Sequence, residues 1–577
     1  MYQRIYGLET EFAIKHYPDT TGQGKNKVLS ETGIFEILNS VLEELDYRCL
    51  AEHRYISSGQ GYAIQRLRNN SRLERNLINT DRVFMSNGCR FYIDIGSHPE
   101  FATPECRSPR EVLIYDKASE RILEDLALKA EEKMHLSGLT GSLFVCKNNV
   151  DVRGNTYGCH ENYLVERKRP FMDEGNFYRL LISNLIPFLV TRQIFTGSGK
   201  MMNKDHLSYQ ISQRSEYIDA EISSATTSRR GIINSKDEPL CNKEKFRRLH
   251  LIISDSNMSE ITNFLKVGTA ALVLQMTEDG VVMENLMPDD AVEAVHQVSL
   301  DLTCQKKILL RDGRTMSPLE VQYHYLEAAK KFFAGKKKKA AKDLYEVLHL
   351  WEDVLDKLDR SPEDLRDRID WITKKWLMTR YLQKEKSSFK EIETWSTLIK
   401  KIKSYRIGSE LEKRRNSSKA DIMSILMRNL RQIDFLHLKK FIQSHKLDMQ
   451  DYFRMHKIYH GVLKLDLKYH EIIKSRSLFY QLEQNGLVAR LNGPNIDRQI
   501  EKAQRIPPSR TRAKVRGAFI DAVSRRGLKG GVRWDTLFFY NKGMKKIDIP
   551  NPFMYENKKV EDIIRDIDKV SPSLAHS

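Results

Sequence analysis

Residues 90–101 read RFYIDIGSHPEF, and the fold turns on how that stretch is taken. Side chains alternate across a strand, so Phe91, Ile93 and Ile95 form an apolar face and Arg90, Tyr92 and Asp94 the opposite one. Tyrosine is an ordinary strand residue, whereas aspartate is disfavoured within strands, so Asp94 marks that second face as unusual. Beyond Gly96 the chain adds His98, Glu100 and Thr103. The first strand-like stretch, YGLETEF, sets Glu9 and Glu11 at i and i+2, on one face and about 7 Å apart. If the two strands are neighbours, Glu9, Glu11, Asp94 and Glu100 share one surface, with Arg90 beside them. Carboxylates so placed repel each other, and a shared proton or a hard cation such as Mg²⁺ relieves the repulsion. The polar face is therefore read as a metal and triphosphate site.

Composition sets the outer bounds. A chain of 577 residues, 40% hydrophobic and 9% aromatic, has the make-up of a folded protein of two or more domains or of one large core with insertions. No apolar run approaches the roughly 18 residues a spanning helix needs, and MYQRIYGLETEF carries acids where a signal peptide would be apolar. The expectation is a cytoplasmic protein with no membrane contact. Seven cysteines without a C-x-x-C pair are read as reduced thiols. A net charge of +18 and pI near 9.3 suit any polyanion: nucleic acid, acidic protein or nucleotide. The lysine run GKKKKAAK (335–342) reads as a solvated face, and without an RNA-binding aromatic signature or a helix-turn-helix pattern no nucleic-acid partner is expected.

Up to about residue 300, strand-like runs (YGLETEFAI, RFYIDIGSH, SLFVCKNNV, HENYLVERK, RRLHLIISD) alternate with helical ones, among them PREVLIYDKASERILEDLALKAEEKM with Pro109 just inside its start. That mixture predicts an α+β fold. From about 317 to 485 the text is nearly all helical, with Ser361 read as the N-cap and Pro362 as the first residue of the helix in SPEDLRDRIDWITKKWLMTRYL. Residues 385–465 read as a helical insertion, and RIPPSRTRAKVRG (505–517) as a hinge opening a small C-terminal unit. Two further polar clusters, His160, Glu161 and Asn162, then Arg247, Arg248, His250, Asp255, Asn257 and Glu260, fit structural roles as well as functional ones. FTGSGKM (195–201) imitates a phosphate-binding loop but has Ile194 where glycine is needed and Met201 where Ser or Thr is needed, so it is taken as an ordinary turn.

IYGLETEF, RVFMSNGCRFYIDIGSHPEFATPEC, GNTYGCHENYLV, IPFLVTRQIFTGSGK, ISSATTSRRGIINSKDEP and RRLHLIISDSNMSEITNFLKVGTAALVLQM resemble successive motifs of the Pup ligase/depupylase family, glutamine synthetase-like carboxylate-amine ligases. The resemblance continues through IDWITKKWLMTRY, LDLKYHEI, PPSRTRAKVRG and VRWDTL. It implies a curved antiparallel sheet forming a cradle packed on helices, divided as a catalytic core (1–384, closing at 466–490), the helical insertion (385–465) and a small C-terminal domain (491–577). It also implies an enzyme that uses ATP and Mg²⁺ to phosphorylate the C-terminal glutamate of Pup, a small acidic ubiquitin-like protein, and joins it to a substrate lysine, a tag for proteasomal degradation. Carried over by position, Glu9, Tyr92 and Glu100 resemble the magnesium ligands, with Glu11 a further contributor; Arg90, Thr103 and Trp534 resemble ATP contacts and Asp94 the catalytic base. IGSHPEFA, ISSATT and SDSNMSE resemble the ligase forms of their motifs. The long segment 13–85 and DLTCQKKILLRDGRTMSPLEVQYHYLEAAKKF lean instead to the depupylase, a hydrolase of the same bond and a Pup deamidase. The expectation is a ligase, with depupylase as the alternative.

Overall fold

A computed structural model describes residues 4–19, 28–42, 44–53, 78–94, 98–151, 154–168, 174–201, 208–283, 285–334, 342–393, 396, 449–493, 495–540 and 543–569. Outside them lie Ile95–Ser97, most of the 13–85 motif HRYISSGQGYAIQRLRNNSRLERN, the lysine run, and the centre of the 385–465 stretch.

The strands are β1 (Tyr6–Glu11), β2 (Ala13–Tyr17), β3 (Cys49–His53), β4 (Ile78–Met85), β5 (Arg90–Ile93), β6 (Pro99–Ala102), β7 (Ser142–Cys146), β8 (Cys159–Glu166), β9 (Ile218–Ser223), β10 (Arg230–Asn234), β11 (Phe246–Leu251), β12 (Ile308–Leu309), β13 (Thr315–Met316), β14 (Gly530–Val532), β15 (Thr536–Tyr540) and β16 (Met544–Asp548). Twelve of them make one open sheet in the order β16-β15-β14-β3-β4-β5-β6-β1-β8-β11-β10-β9. The pairing is antiparallel except where β9 meets β10 and where β14 meets β3. Through that second contact, Val532 opposite Glu52, the C-terminal strands extend the sheet begun by the first half of the chain.

The reading of RFYIDIGSHPEF needs one correction. The strand beginning at Arg90 stops at Ile93, and Pro99–Ala102 returns as a separate strand between β5 and β1. Proline is tolerated as the first residue of a strand, where no ladder N–H is demanded of it. The two strands expected to be neighbours are thus separated by β6, which itself delivers Glu100. YGLETEFAI likewise divides: β1 stays in the main sheet, while β2 pairs with β7. The helix foreseen from Ser361 is also interrupted. Pro362–Leu365 form a 3₁₀ turn in which the Ser361 side chain accepts no capping hydrogen bond, and the α-helix proper is Asp370–Lys384.

The apolar face of the sheet is where alternation put it. Phe91 stacks on Phe101 with ring centroids 4.5 Å apart and meets Phe35 at 4.9 Å. Beneath runs the helix Pro109–Leu136, capped by Ser108 accepting from the Glu111 N–H, with Val112, Leu113, Ala118, Ile122, Leu123 and Leu126 buried in the same core. No helix among the described residues is long and apolar enough to cross a membrane.

Candidate active site

Strand registry builds the polar face. Tyr92 is opposite Glu100 and Glu100 is opposite Glu11, so β5, β6 and β1 present one continuous row. Two residues along, Arg90 faces Ala102, Ala102 faces Glu9 and Glu9 faces His160. Across β8, Asn162 faces His250, bringing that histidine to the same surface. The acids, arginine and tyrosine anticipated from sequence therefore do share a face.

The row is tightly bonded. The Tyr92 hydroxyl donates to Glu100 Oε1 at 2.5 Å, and His98 Nδ1 lies 2.8 Å from Glu11 Oε2. His160 Nδ1 is 3.4 Å and His250 Nε2 3.8 Å from Glu9 Oε2. Arg90 pairs with Glu52 on β3 at 2.7 Å and stands over the Tyr92 ring at 3.9 Å. Among the described residues, Glu11, Asp94 and Glu100 offer oxygens all within 4.8 Å of one another, and Glu9, His160 and His250 form a second such group.

Electrostatics follow from that crowding. Burial, then the charges of Glu9, Glu11 and Asp94, push the Glu100 carboxyl well above the carboxylate range. Burial, Glu100 and Glu9 raise the Tyr92 phenol, which stays neutral. For Glu9 burial opposes ionisation, but the His160 hydrogen bond and the neighbouring His250 and Arg248 side chains outweigh it and hold the carboxyl low. Glu11 is lowered in the same manner, chiefly by His98 against its burial. Burial leaves His250 strongly depressed and uncharged. A face with this density of carboxylates is suited to a bound cation, and Glu11, Asp94 and Glu100 are the hard oxygen donors that Mg²⁺ prefers.

Two pockets flank the row. One, mainly apolar, is lined by Leu8, Glu9, Thr103, Arg248, Arg512 and Trp534 among others. Thr103 is fixed there because its hydroxyl accepts from the Leu8 N–H at 3.0 Å. Trp534 stands edge-on to Phe84 with centroids 5.0 Å apart. The other pocket is polar and lined by Glu11, Asp94, His98, Tyr157, Arg214 and Arg230. On the wall of the polar pocket, Gly158 leaves room that a side chain would take: a Cβ there would lie 2.9 Å from Glu11 Oε1 and 2.8 Å from His160 Nε2.

The secondary clusters divide by strand parity. His160, Asn162, Arg248 and His250 join the face, whereas Glu161 and Arg247 point the other way: Glu161 pairs with Arg192 at 2.7 Å and Arg247 with Asp237 at 3.0 Å. Asp255 accepts backbone N–H groups of Ser198, Gln213 and Arg214, Asn257 bonds the Thr196 carbonyl, and Glu260 binds Arg490. These are structural. In FTGSGKM the Ser198 N–H is spent on Asp255 and Lys200 pairs with Glu216, so the turn holds no phosphate loop. Glu52, Tyr157, Arg214 and Arg230 were not singled out from sequence, because each lies in a stretch whose pattern gives no sign of the face it meets.

A broad sheet that commits one face to charged groups, with pockets on both sides, has the make-up of an enzyme's active site rather than of a passive binding module. The Pup-ligase protein family model matches residues 4–399 and 426–538. The Pup–protein ligase of Nocardioides sp. (strain ATCC BAA-499 / JS614) is 37% identical over 487 residues, 84% of this chain and 90% of that one; that of Kineococcus radiotolerans is 35% identical over the same shares. A crystal structure of the complex between the prokaryotic ubiquitin-like protein Pup and its ligase PafA matches with TM-score 0.73 and 26% identity, covering 98% of this chain and 92% of that one. A structure of PafA in complex with ADP matches with TM-score 0.66 and 28% identity, over 89% and 95%. This chain belongs to the Pup-ligase family.

Proposed function

We propose that this protein is an ATP-dependent ligase that joins the C-terminal glutamate side chain of Pup, or of a Pup-like acidic modifier, to lysines of other proteins in the cytoplasm, marking them for proteasomal degradation. The observation that carries the reading is the acid row lying between an apolar pocket holding Thr103 and Trp534 and a polar pocket holding Asp94 and His98. Two substrates that must react with each other can approach such a row from opposite sides.

In this reading Arg90, Thr103 and Trp534 hold ATP, and Glu9, Glu11, Tyr92 and Glu100 take up Mg²⁺. Of these, Glu11 and Glu100 lie together with Asp94 as a group of oxygen donors that suits Mg²⁺, and Glu9 lies beside them with His160 and His250. Mg²⁺, when bound, screens the phosphate charge during phosphoryl transfer. The modifier's glutamate gains a good leaving group as its acyl phosphate. The incoming lysine, protonated near neutrality, has to lose a proton before it attacks, and the Asp94 carboxylate on the wall of the polar pocket orients and deprotonates it. The net charge of +18 favours encounter with an acidic modifier. Ligation is preferred to hydrolysis because both curated relatives compared, matched over 90% of their own length, are Pup–protein ligases.

The test is Asp94→Asn. Conjugation should fall at least 100-fold, on the order of what general-base catalysis supplies, while nucleotide affinity stays within about twofold. An Asp94→Asn enzyme that conjugates normally would sink the assignment of the base.

A further inference from the structure

Across the boundary between the first half of the chain and its C-terminal strands lies a buried ionic cluster with no part in the reading above. Glu105, two residues beyond Thr103, is 6% exposed. It accepts from Arg512 Nε at 2.6 Å and from Arg516 Nη1 and Nη2 at 3.0 and 2.7 Å. Arg516 is wholly buried, and its Nη1 also donates to the Trp534 carbonyl at 3.1 Å. Its guanidinium lies 4.9 Å from the Trp534 ring centroid and 5.3 Å from that of Phe84, the ring against which Trp534 stands edge-on. The other fork nitrogen, Nη2, reaches the Gly88 carbonyl at 3.2 Å, in the turn just before β5. Glu105 and Arg512 themselves line the apolar pocket along with Thr103 and Trp534.

A tryptophan on a short loop between β14 and β15 has two side-chain torsions to fix, and an unfixed ring covers a ligand poorly. Arg516 fixes it twice, through the backbone carbonyl and over the ring face. Arg516 is in turn oriented by Glu105, since a guanidinium buried beside a bidentate carboxylate has one favourable plane. Glu105 is attached covalently to the strand end that carries Thr103. The two walls of the apolar pocket, contributed by residues more than 400 positions apart, are thereby set at one separation.

We propose that Glu105, acting through Arg516, is a positioning residue for nucleotide binding that holds Trp534 at a fixed distance from Thr103. This rests on the reading that Trp534 and Thr103 contact ATP.

The test is a double-mutant cycle on the full-length enzyme, using ATP as the probe. Glu105→Gln, which keeps the side-chain size, should raise the KM for ATP by about tenfold, the scale of losing one charge-assisted buried contact, and leave kcat and the KM for the modifier within about twofold. Trp534→Phe should raise the ATP KM as well. If Glu105 acts through Trp534, the double variant should be no worse than Trp534→Phe alone. Additive losses, or an unchanged ATP KM in Glu105→Gln, would overturn the proposal. An unchanged ATP KM in Trp534→Phe would instead remove the reading of the nucleotide site on which the proposal stands. Arg516→Lys provides a variant that keeps the charge opposite Glu105 but cannot bridge to both the Trp534 carbonyl and its ring face. It should reproduce the Glu105→Gln signature, and a normal ATP KM there would equally overturn the role of Arg516.

Discussion

Gly158 is a position at which the geometry of the acid row can be disturbed without straining the backbone. Its φ lies outside the left-handed region, so alanine is sterically permitted by the backbone. The added methyl would, however, sit 2.9 Å from Glu11 Oε1 and 2.8 Å from His160 Nε2, against ordinary contacts of 3.4 Å or more. One or both side chains must yield by about 0.5 Å, and Glu11 can do so only by loosening its 2.8 Å contact with His98 or its place beside Asp94 and Glu100. Misplacement of reacting groups by about 1 Å costs on the order of 100-fold, so half that distance is expected to cost roughly 10-fold in kcat/KM, or about 1.4 kcal/mol. Conjugation of the modifier to a lysine-bearing protein at saturating Mg-ATP, followed on a gel, measures it. Thermal unfolding should change by only a few degrees. Full activity in Gly158→Ala would refute the claim that the row works as a close-packed unit.

Two further outcomes follow from the packing. Phe91 is fully buried between Phe101 and Phe35, so Phe91→Ala should destabilise the protein by about 3–5 kcal/mol and lower activity by loosening the strand that bears Arg90 and Tyr92; denaturant titration of a variant as stable as the parent would contradict this. For Glu105, burial opposes ionisation but Arg516 and Arg512 prevail, and the carboxyl is lowered from 4.5 to about 2. A depressed folded value means that the contribution, about 3 kcal/mol, is present in full above pH 4.5 and lost as pH falls toward 2. The stability gap between the parent and Glu105→Gln should therefore narrow on acidification through that window, and a gap independent of pH would refute the assignment.

Much of the face was legible from alternation alone. Arg90, Tyr92 and the pair Glu9 and Glu11 fall on one side because a strand allows nothing else, and Phe91 falls on the core side for the same reason. What periodicity could not supply was strand order. Pro99–Ala102 is too short to announce itself and begins with proline, yet it is the strand that sets Glu100 between Tyr92 and Glu11. Glu52 on β3 and Arg230 on β10 were hidden for a related reason: partners brought together by non-local pairing leave no mark in local sequence. The polar clusters at His160–Asn162 and Arg247–Glu260 show the converse difficulty. Their residue types look alike, and only the register decides that His160, Arg248 and His250 turn toward the site while Glu161 and Arg247 turn into structural ion pairs. Ser361 looked like a helix cap but leads into a 3₁₀ turn, since Pro362 and the acids after it suit either geometry.

The central claim is that this acid-lined face activates a carboxylate for attack by lysine. Incubating the purified protein with Mg-ATP, an acidic modifier ending in glutamate and a lysine-bearing protein, then analysing the digest by mass spectrometry, tests it directly. The expected product is a branched peptide in which the modifier's terminal glutamate side chain is linked to a lysine Nζ, formed only when ATP is present. Release of modifier from a preformed conjugate, with no branched peptide made from the free components, would contradict the account.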